Sequence, residues 1–313
     1  MGKYVNQVGK QMSLAFLCPG QGSQKVGMGQ DIYKHSDLAK TFFHLANDIL
    51  ETNIQKIIFE GPEETLKQTR HTQPALYIIS VIIGKLLIEK GLNPSAAAGH
   101  SLGEYSAYAL AGAYGFETGL SLVKVRAESM QTAGSNSPGT MAAIIGLNNQ
   151  TIVEITELVD GIVVAANFNS PGQVVISGEI DSVKKTMVKA KETGARMVIP
   201  LNVSGAFHSP LMSSARDKLA EMIDSIEISD SKIPVYSNVN AAPITKADEI
   251  RSSMINQLES PVLWSQTISN MAANKICSFI EVGPGSVLQG LCKRVDRSLE
   301  TSGVENWEQL ERV

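Results

Sequence analysis

AGHSLGEY, residues 98–105, sets a serine between two glycines where an apolar, strand-like run gives way to a helical one. The run SAAAGH (95–100) leads into Ser101, and LGEYSAYALAG (102–112) continues with small residues at the spacing of a helix face. Strand, sharp turn and helix in that order mark an α/β architecture. Gly99-x-Ser101-x-Gly103 matches the nucleophile elbow, in which small neighbours let the backbone approach closely around an exposed serine hydroxyl. A plain glycine-flanked turn has the same pattern, and only the strand-to-helix context favours a nucleophile. At the helix N-terminus the Leu102 N–H is placed to donate to an oxyanion.

Outward from the elbow, SLAFLC (13–18) reads as a buried strand ended by Pro19-Gly20, and helical patterns follow over 37–51 and 73–90. From Thr140 to Val203 the grammar changes. MAAIIGL is a strand, QTIVEITELV a helix, and IVVAANFN and GQVVISG two strands joined at Ser170-Pro171-Gly172. DSVKKTMVKAKETG is a second helix and RMVIPLNV a last strand. The order βαββαβ is the ferredoxin-like split motif. Beyond it, SPLMSSARDKLAEMI is helical, IPVYSNV a strand, and FIEVGPGSVLQGLCKRV a strand, glycine turn and helix with which the large lobe closes. The predicted fold is therefore α/β: a large α/β-hydrolase-like lobe with a parallel sheet core (13–138 and 204–313) and an inserted ferredoxin-like subdomain (139–203). Residues 1–12 have no apolar targeting segment and read as a loose tail.

With 313 residues, 43% of them hydrophobic, the chain can bury a full core, and a net charge of −4 gives no broad attraction to nucleic acid or an anionic membrane. The most apolar run, ALYIISVII (75–83), is short of the roughly 20 residues of a membrane span and reads as a core helix. Cys18, Cys277 and Cys292 are too scattered for a disulfide framework or a zinc site, so a reducing cytoplasm and no metal are expected.

A serine nucleophile needs a base, and there are five histidines. His100 adjoins Ser101 and should diverge from it. His35, His44 and His71 lie in polar or helical surroundings and read as solvated or structural. His208, in VSGAFHSPLM, sits in a short loop at the junction of the two lobes, where chemistry is commonly carried. A structural histidine remains the alternative there.

Nine stretches in order resemble the malonyl-CoA:acyl carrier protein transacylase family, the acyltransferases of fatty acid synthesis. They are FLCPGQGSQ (16–24), TQPA (72–75), GHSLGEYSA (99–107), VKVRAESMQ (123–131), GTMAAIIG (139–146), ANFNSPGQVVISG (166–178), FHSPLM (207–212), QLESPVLW (257–264) and EVGPGSVLQGL (281–291). The resemblance implies a Ser101 nucleophile, a His208 base, and an oxyanion hole from the Gln21 and Leu102 N–H groups. It implies Arg126 as the clamp for the malonyl carboxylate, Gln257 near the histidine, and a backbone carbonyl in place of the triad aspartate. It also implies malonyl-CoA and acyl carrier protein as substrates, with no cofactor, in a cytoplasmic, monomeric, trans-acting enzyme.

Arg126 can be checked from the helix period. At 3.6 residues per turn Leu122, Val123 and Met130 lie beside it and Lys124 nearly opposite, so a guanidinium on that apolar side requires an anionic partner. Whether that partner is a substrate or a protein carboxylate is left open by the sequence. The loop PGQGSQKVGMG is not a dinucleotide fingerprint, because its third glycine falls at 27 rather than 25. Two rivals stand beside it: a serine esterase or thioesterase using the same Ser101 and His208 with water as acceptor, and a non-catalytic protein that keeps the fold only to dock a carrier.

Overall fold

The computed structural model describes residues 13–313, so the expected loose tail lies outside the described residues. Its strands are β1 (Leu14–Cys18), β2 (Ala96–Gly99), β3 (Gly139–Ile145), β4 (Val163–Ser170), β5 (Gln173–Glu179), β6 (Met197–Pro200), β7 (Val235–Tyr236), β8 (Pro243–Ile244), β9 (Ser278–Val282) and β10 (Glu300–Val304). Six form the large sheet in the order β10-β9-β1-β2-β7-β8, parallel except for β8. At its centre β1 and β2 are buried along their whole length, as a parallel sheet covered on both faces requires. Their register pairs Cys18 with Gly99, so the Pro19 loop and the elbow leave the carboxyl edge of the sheet side by side. That edge is where open α/β sheets collect their sites.

The glycines of the elbow are dictated by this closeness. A Cβ on Gly99 would stand 1.9 Å from the Gly103 carbonyl carbon, and one on Gly103 would stand 2.0 Å from the Cys18 carbonyl oxygen. Strand, turn and helix thus touch backbone to backbone, and Ser101 is driven to φ 51°. For a residue with a side chain that left-handed conformation costs about 1–2 kcal/mol, so it persists only where surrounding contacts hold it.

The second sheet has the order β4-β5-β3-β6 and is antiparallel throughout. Read from its other end, the strands are fourth, first, third and second of the segment, the arrangement the βαββαβ order predicts. One face packs Ile144, Val174 and Ile176 against Ile152 and Val183 of the helices Asn149–Glu157 and Ile180–Glu192. The other face joins the main core through Met141, Ala143 and Val175. Strand β4 is stitched to the large lobe by hydrogen bonds from the Phe168 N–H to the Val262 carbonyl (2.9 Å) and from the Val262 N–H to the Ala166 carbonyl (2.8 Å).

Several boundaries differ from the sequence reading. The strands predicted over IPVYSNV and RMVIPLNV shrink to two and four residues, because Ser237–Asn240 turns away and the chain after Pro200 leaves the sheet toward the site. The large lobe does not close at the helix Val287–Val295: β10 adds a further parallel edge strand beside β9. The apolar run at 75–83 belongs to a 21-residue helix, Thr69–Glu89, which is long and apolar enough to cross a membrane; 83% of its most apolar stretch is buried inside the protein. The GPGS turn is structural, as Glu281 at the end of β9 accepts the Leu288 and Gln289 N–H groups at 3.1 and 3.2 Å and so caps the following helix.

Candidate active site

Four separate segments bring the expected residues to one small cavity of about 120 Å³ at the carboxyl edge of the large sheet. Ser101 comes from the elbow, Gln21 from the loop after β1, and Arg126 from the helix Phe116–Asn136. His208 comes from the loop that returns from the subdomain. Gln257 stands behind them at the end of the helix Ala247–Asn256, off the cavity wall but bonded to three of its residues.

The Ser101 hydroxyl lies 2.8 Å from His208 Nε2. On the other side of the ring, Nδ1 faces the Gln257 carbonyl at 2.9 Å and the Ser260 carbonyl at 3.2 Å. Carbonyls only accept, so Nδ1 carries the proton and Nε2 is left with a lone pair directed at Ser101. No carboxylate lies within 4.0 Å of His208 among the described residues. A dyad oriented by main chain therefore replaces a Ser-His-Asp arrangement. His208, like Ser101, has a left-handed backbone, at φ 58°. Both halves of the dyad sit on strained turns.

Burial, and after it the positive charge of Arg126, push the His208 imidazole down from its ordinary 6.5 to about 3. The neutral, proton-accepting form then prevails in the free protein at any pH above that. The expected consequence is an acylation rate at low substrate that stays level from about pH 8 to about pH 5, since kcat/KM reports the titration of free enzyme. A half-loss near pH 6.5 in a stopped-flow profile would show a solvated imidazole and refute the geometry.

Arg126 is 1% exposed, and its contacts bear on the question the sequence left open. Its Nη1 donates to Gln73 Oε1 at 2.6 Å, and its Nη2 to Gln257 Oε1 at 3.0 Å and to Ser101 Oγ at 3.1 Å. Its Nε has no partner among the described residues, and the guanidinium lies 5.1 Å from the centre of the Tyr105 ring. Among the described residues no carboxylate comes within 4.0 Å of it. A buried cation that meets only neutral acceptors is poised for an anion brought from outside.

Gln21 and Leu102 both line the cavity, and neither backbone N–H finds an acceptor among the described residues. The Ser101 N–H, by contrast, is taken by Asn238 Oδ1 at 2.7 Å. His100 turns away as expected, bonding Asn169 Oδ1 at 2.8 Å and lying against Trp264. His35 stacks on Trp307, and His71 bonds the Thr65 carbonyl.

Sequence reasoning passed over Gln73, Glu104 and Asn238. Gln73 was visible only as part of TQPA. Glu104 is the one charge in the small, apolar helix GEYSAYAL, one turn after the serine, and that oddity was a usable signal. Asn238 follows the short β7 at the same sheet edge as the elbow, which no local pattern discloses.

The model of the acyl transferase domain family matches residues 15–310. The malonyl CoA-acyl carrier protein transacylase of Bacillus subtilis (strain 168) is 44% identical over 301 residues, 95% of each chain. Among solved structures, an acyl carrier protein S-malonyltransferase from Vibrio cholerae superposes with a TM-score of 0.92 at 40% identity, over 96% of this chain and 99% of that one. A malonyl-transacylase solved in complex with its type II polyketide acyl-carrier protein gives a TM-score of 0.92 at 39% identity, over 96% and 98% of the two chains.

Proposed function

The chain belongs to the acyl transferase domain family, and on that premise we propose that it moves a malonyl group from malonyl-CoA to the phosphopantetheine thiol of an acyl carrier protein, supplying fatty acid synthesis. The observation that carries this reading is the buried Arg126 Nη2, 3.1 Å from the candidate nucleophile and facing no carboxylate among the described residues. It selects an acyl group that brings its own carboxylate.

In the first half-reaction His208 Nε2 takes the Ser101 proton as Oγ attacks the thioester carbonyl. The Gln21 and Leu102 N–H groups receive the negative oxygen, with Arg126 holding the distal carboxylate. The C–S bond breaks, His208 returns its proton to the sulfur, and CoA leaves with malonyl esterified to Ser101. In the second half the carrier thiol gives its proton to His208 and attacks that ester. A second tetrahedral oxyanion collapses, Ser101 recovers the proton, and a malonyl thioester departs. Every protein group in both halves is a side chain or an N–H of one chain, which supports a monomeric enzyme whose steps call for neither metal nor redox cofactor; the same reading places it in the cytoplasm. In the same reading 13–138 with 204–313 make the catalytic lobe, and 139–203 an insert that contributes Met141, Asn167, Leu201 and Val203 to the cavity.

Water is the competing acceptor. Mixing with malonyl-CoA alone should give a single persistent malonyl adduct by intact-protein mass, discharged on adding holo carrier protein. Continuous CoA release without an adduct would make the protein a thioesterase instead.

A further inference from the structure

Behind the dyad lies a carboxylate that the chemistry above does not use. Glu104 is 0% exposed, and its two oxygens meet four donors. Oε1 accepts the Tyr108 hydroxyl at 2.6 Å and the Ser253 hydroxyl at 3.1 Å; Oε2 accepts Gln257 Nε2 at 2.6 Å and the Asn238 N–H at 3.1 Å. Burial pushes its pKa up, and these donors oppose the push. The amide donors on Oε2 leave no room for a proton there.

Gln257 stands between this carboxylate and Arg126. Its Oε1 faces the guanidinium and its Nε2 faces Glu104, while the same Nε2 also donates to the Ser101 carbonyl at 3.0 Å. Reversing the amide would press Oε1 against a carboxylate at 2.6 Å and an NH2 group against a guanidinium at 3.0 Å. Two opposite charges thus lock one neutral side chain. The lock keeps the negative charge one amide away from Arg126, near enough to oppose its burial in small part and too far to occupy its donors. Asn238 forms a second arm. With its N–H on Glu104, its side chain brackets the elbow, Oδ1 on the Ser101 N–H and Nδ2 on the Gly99 carbonyl, each at 2.7 Å.

We propose that Glu104 is a positioning residue for acyl-group selection, which through Gln257 holds Arg126 open for a substrate carboxylate and through Asn238 holds Ser101 in its strained conformation. The inference rests on the malonyl-transfer reading. Its contacts predict two kinds of loss: those that hold the elbow, through Asn238 and the Gln257 bond to the Ser101 carbonyl, affect every acyl group alike, and the Gln257 contact with Arg126 adds a loss for malonyl alone.

The test compares malonyl-CoA and acetyl-CoA acylation of wild type, Glu104→Gln and Gln257→Glu by intact-protein mass, with thermal melting to confirm folding. In Glu104→Gln the amide lock is gone, and the malonyl-to-acetyl ratio of kcat/KM should fall about tenfold or more, beyond any loss the two share, as expected when a charge-assisted hydrogen bond is lost. Gln257→Glu puts the carboxylate directly on Arg126 and should cut malonyl acylation more than acetyl acylation, so it decides the matter if the first variant does not fold. An unchanged ratio in either folded variant overturns the inference. A wild type that forms no malonyl adduct overturns the malonyl reading itself.

Discussion

Ser101→Ala should form no malonyl adduct and lose carrier malonylation by about 10⁴-fold or more, the scale on which removal of a covalent nucleophile acts. The fold should survive. Alanine meets the φ of 51° with the same Cβ that serine has, and the Ser101 N–H and carbonyl keep their bonds to Asn238 and Gln257. Only the hydroxyl disappears, leaving His208 Nε2 and one Arg126 contact open to water or substrate. The measurement is intact-protein mass after incubation with malonyl-CoA, followed by a gel-shift assay of carrier loading. Carrier loading at the wild-type rate would remove Ser101 from the chemistry and overturn the serine-ester mechanism.

The second large effect concerns selection. Arg126→Ala should reduce malonyl transfer about 100- to 1000-fold, a few kcal/mol for a bidentate charged contact in a dry site, while acetyl transfer holds or rises. Gln73 Oε1 and Gln257 Oε1 lose their donor in this variant, so a drop in melting temperature accompanies the change. A further signature separates the clamp from mere packing. Arg126 is the second cause, after burial, of the depressed His208 pKa, so its removal should shift the acid limb of the acetyl acylation profile toward higher pH. Equal losses for malonyl and acetyl, with the limb unmoved, would show that Arg126 neither binds the carboxylate nor acts on the base.

How far the sequence reached depended on the range of each interaction. The elbow was legible because its requirement is local: Gly99 and Gly103 are needed where backbone touches backbone, and two glycines two residues on either side of a bend are visible in five letters. The βαββαβ segment was legible because short apolar runs bounded by turn residues alternate with longer helix-period stretches from Thr140 onward. Arg126 was placed on an apolar helix face by counting alone, yet its freedom from protein carboxylates needed the neighbours Gln73 and Gln257, 53 and 131 residues away in the chain. Strand β10 was missed because ETSGV is polar on an exposed edge and carries no hydrophobic alternation. Glu104 and Asn238 were missed for a related reason, since their contacts span 134 residues and mean nothing until the sheet has formed.

The two carbonyls that hold the His208 ring belong to the main chain of Gln257 and Ser260. Every amino acid supplies a carbonyl at those positions, so no single codon change deletes the group that orients the base. In a saturation library the third element of the catalytic apparatus would leave no side-chain footprint of its own; it would surface only through substitutions, proline or glycine among them, that bend the path from 257 to 260. Natural drift at Ser260 is free to rewrite the side chain while the aim of the histidine, fixed by the course of the backbone, is inherited unchanged.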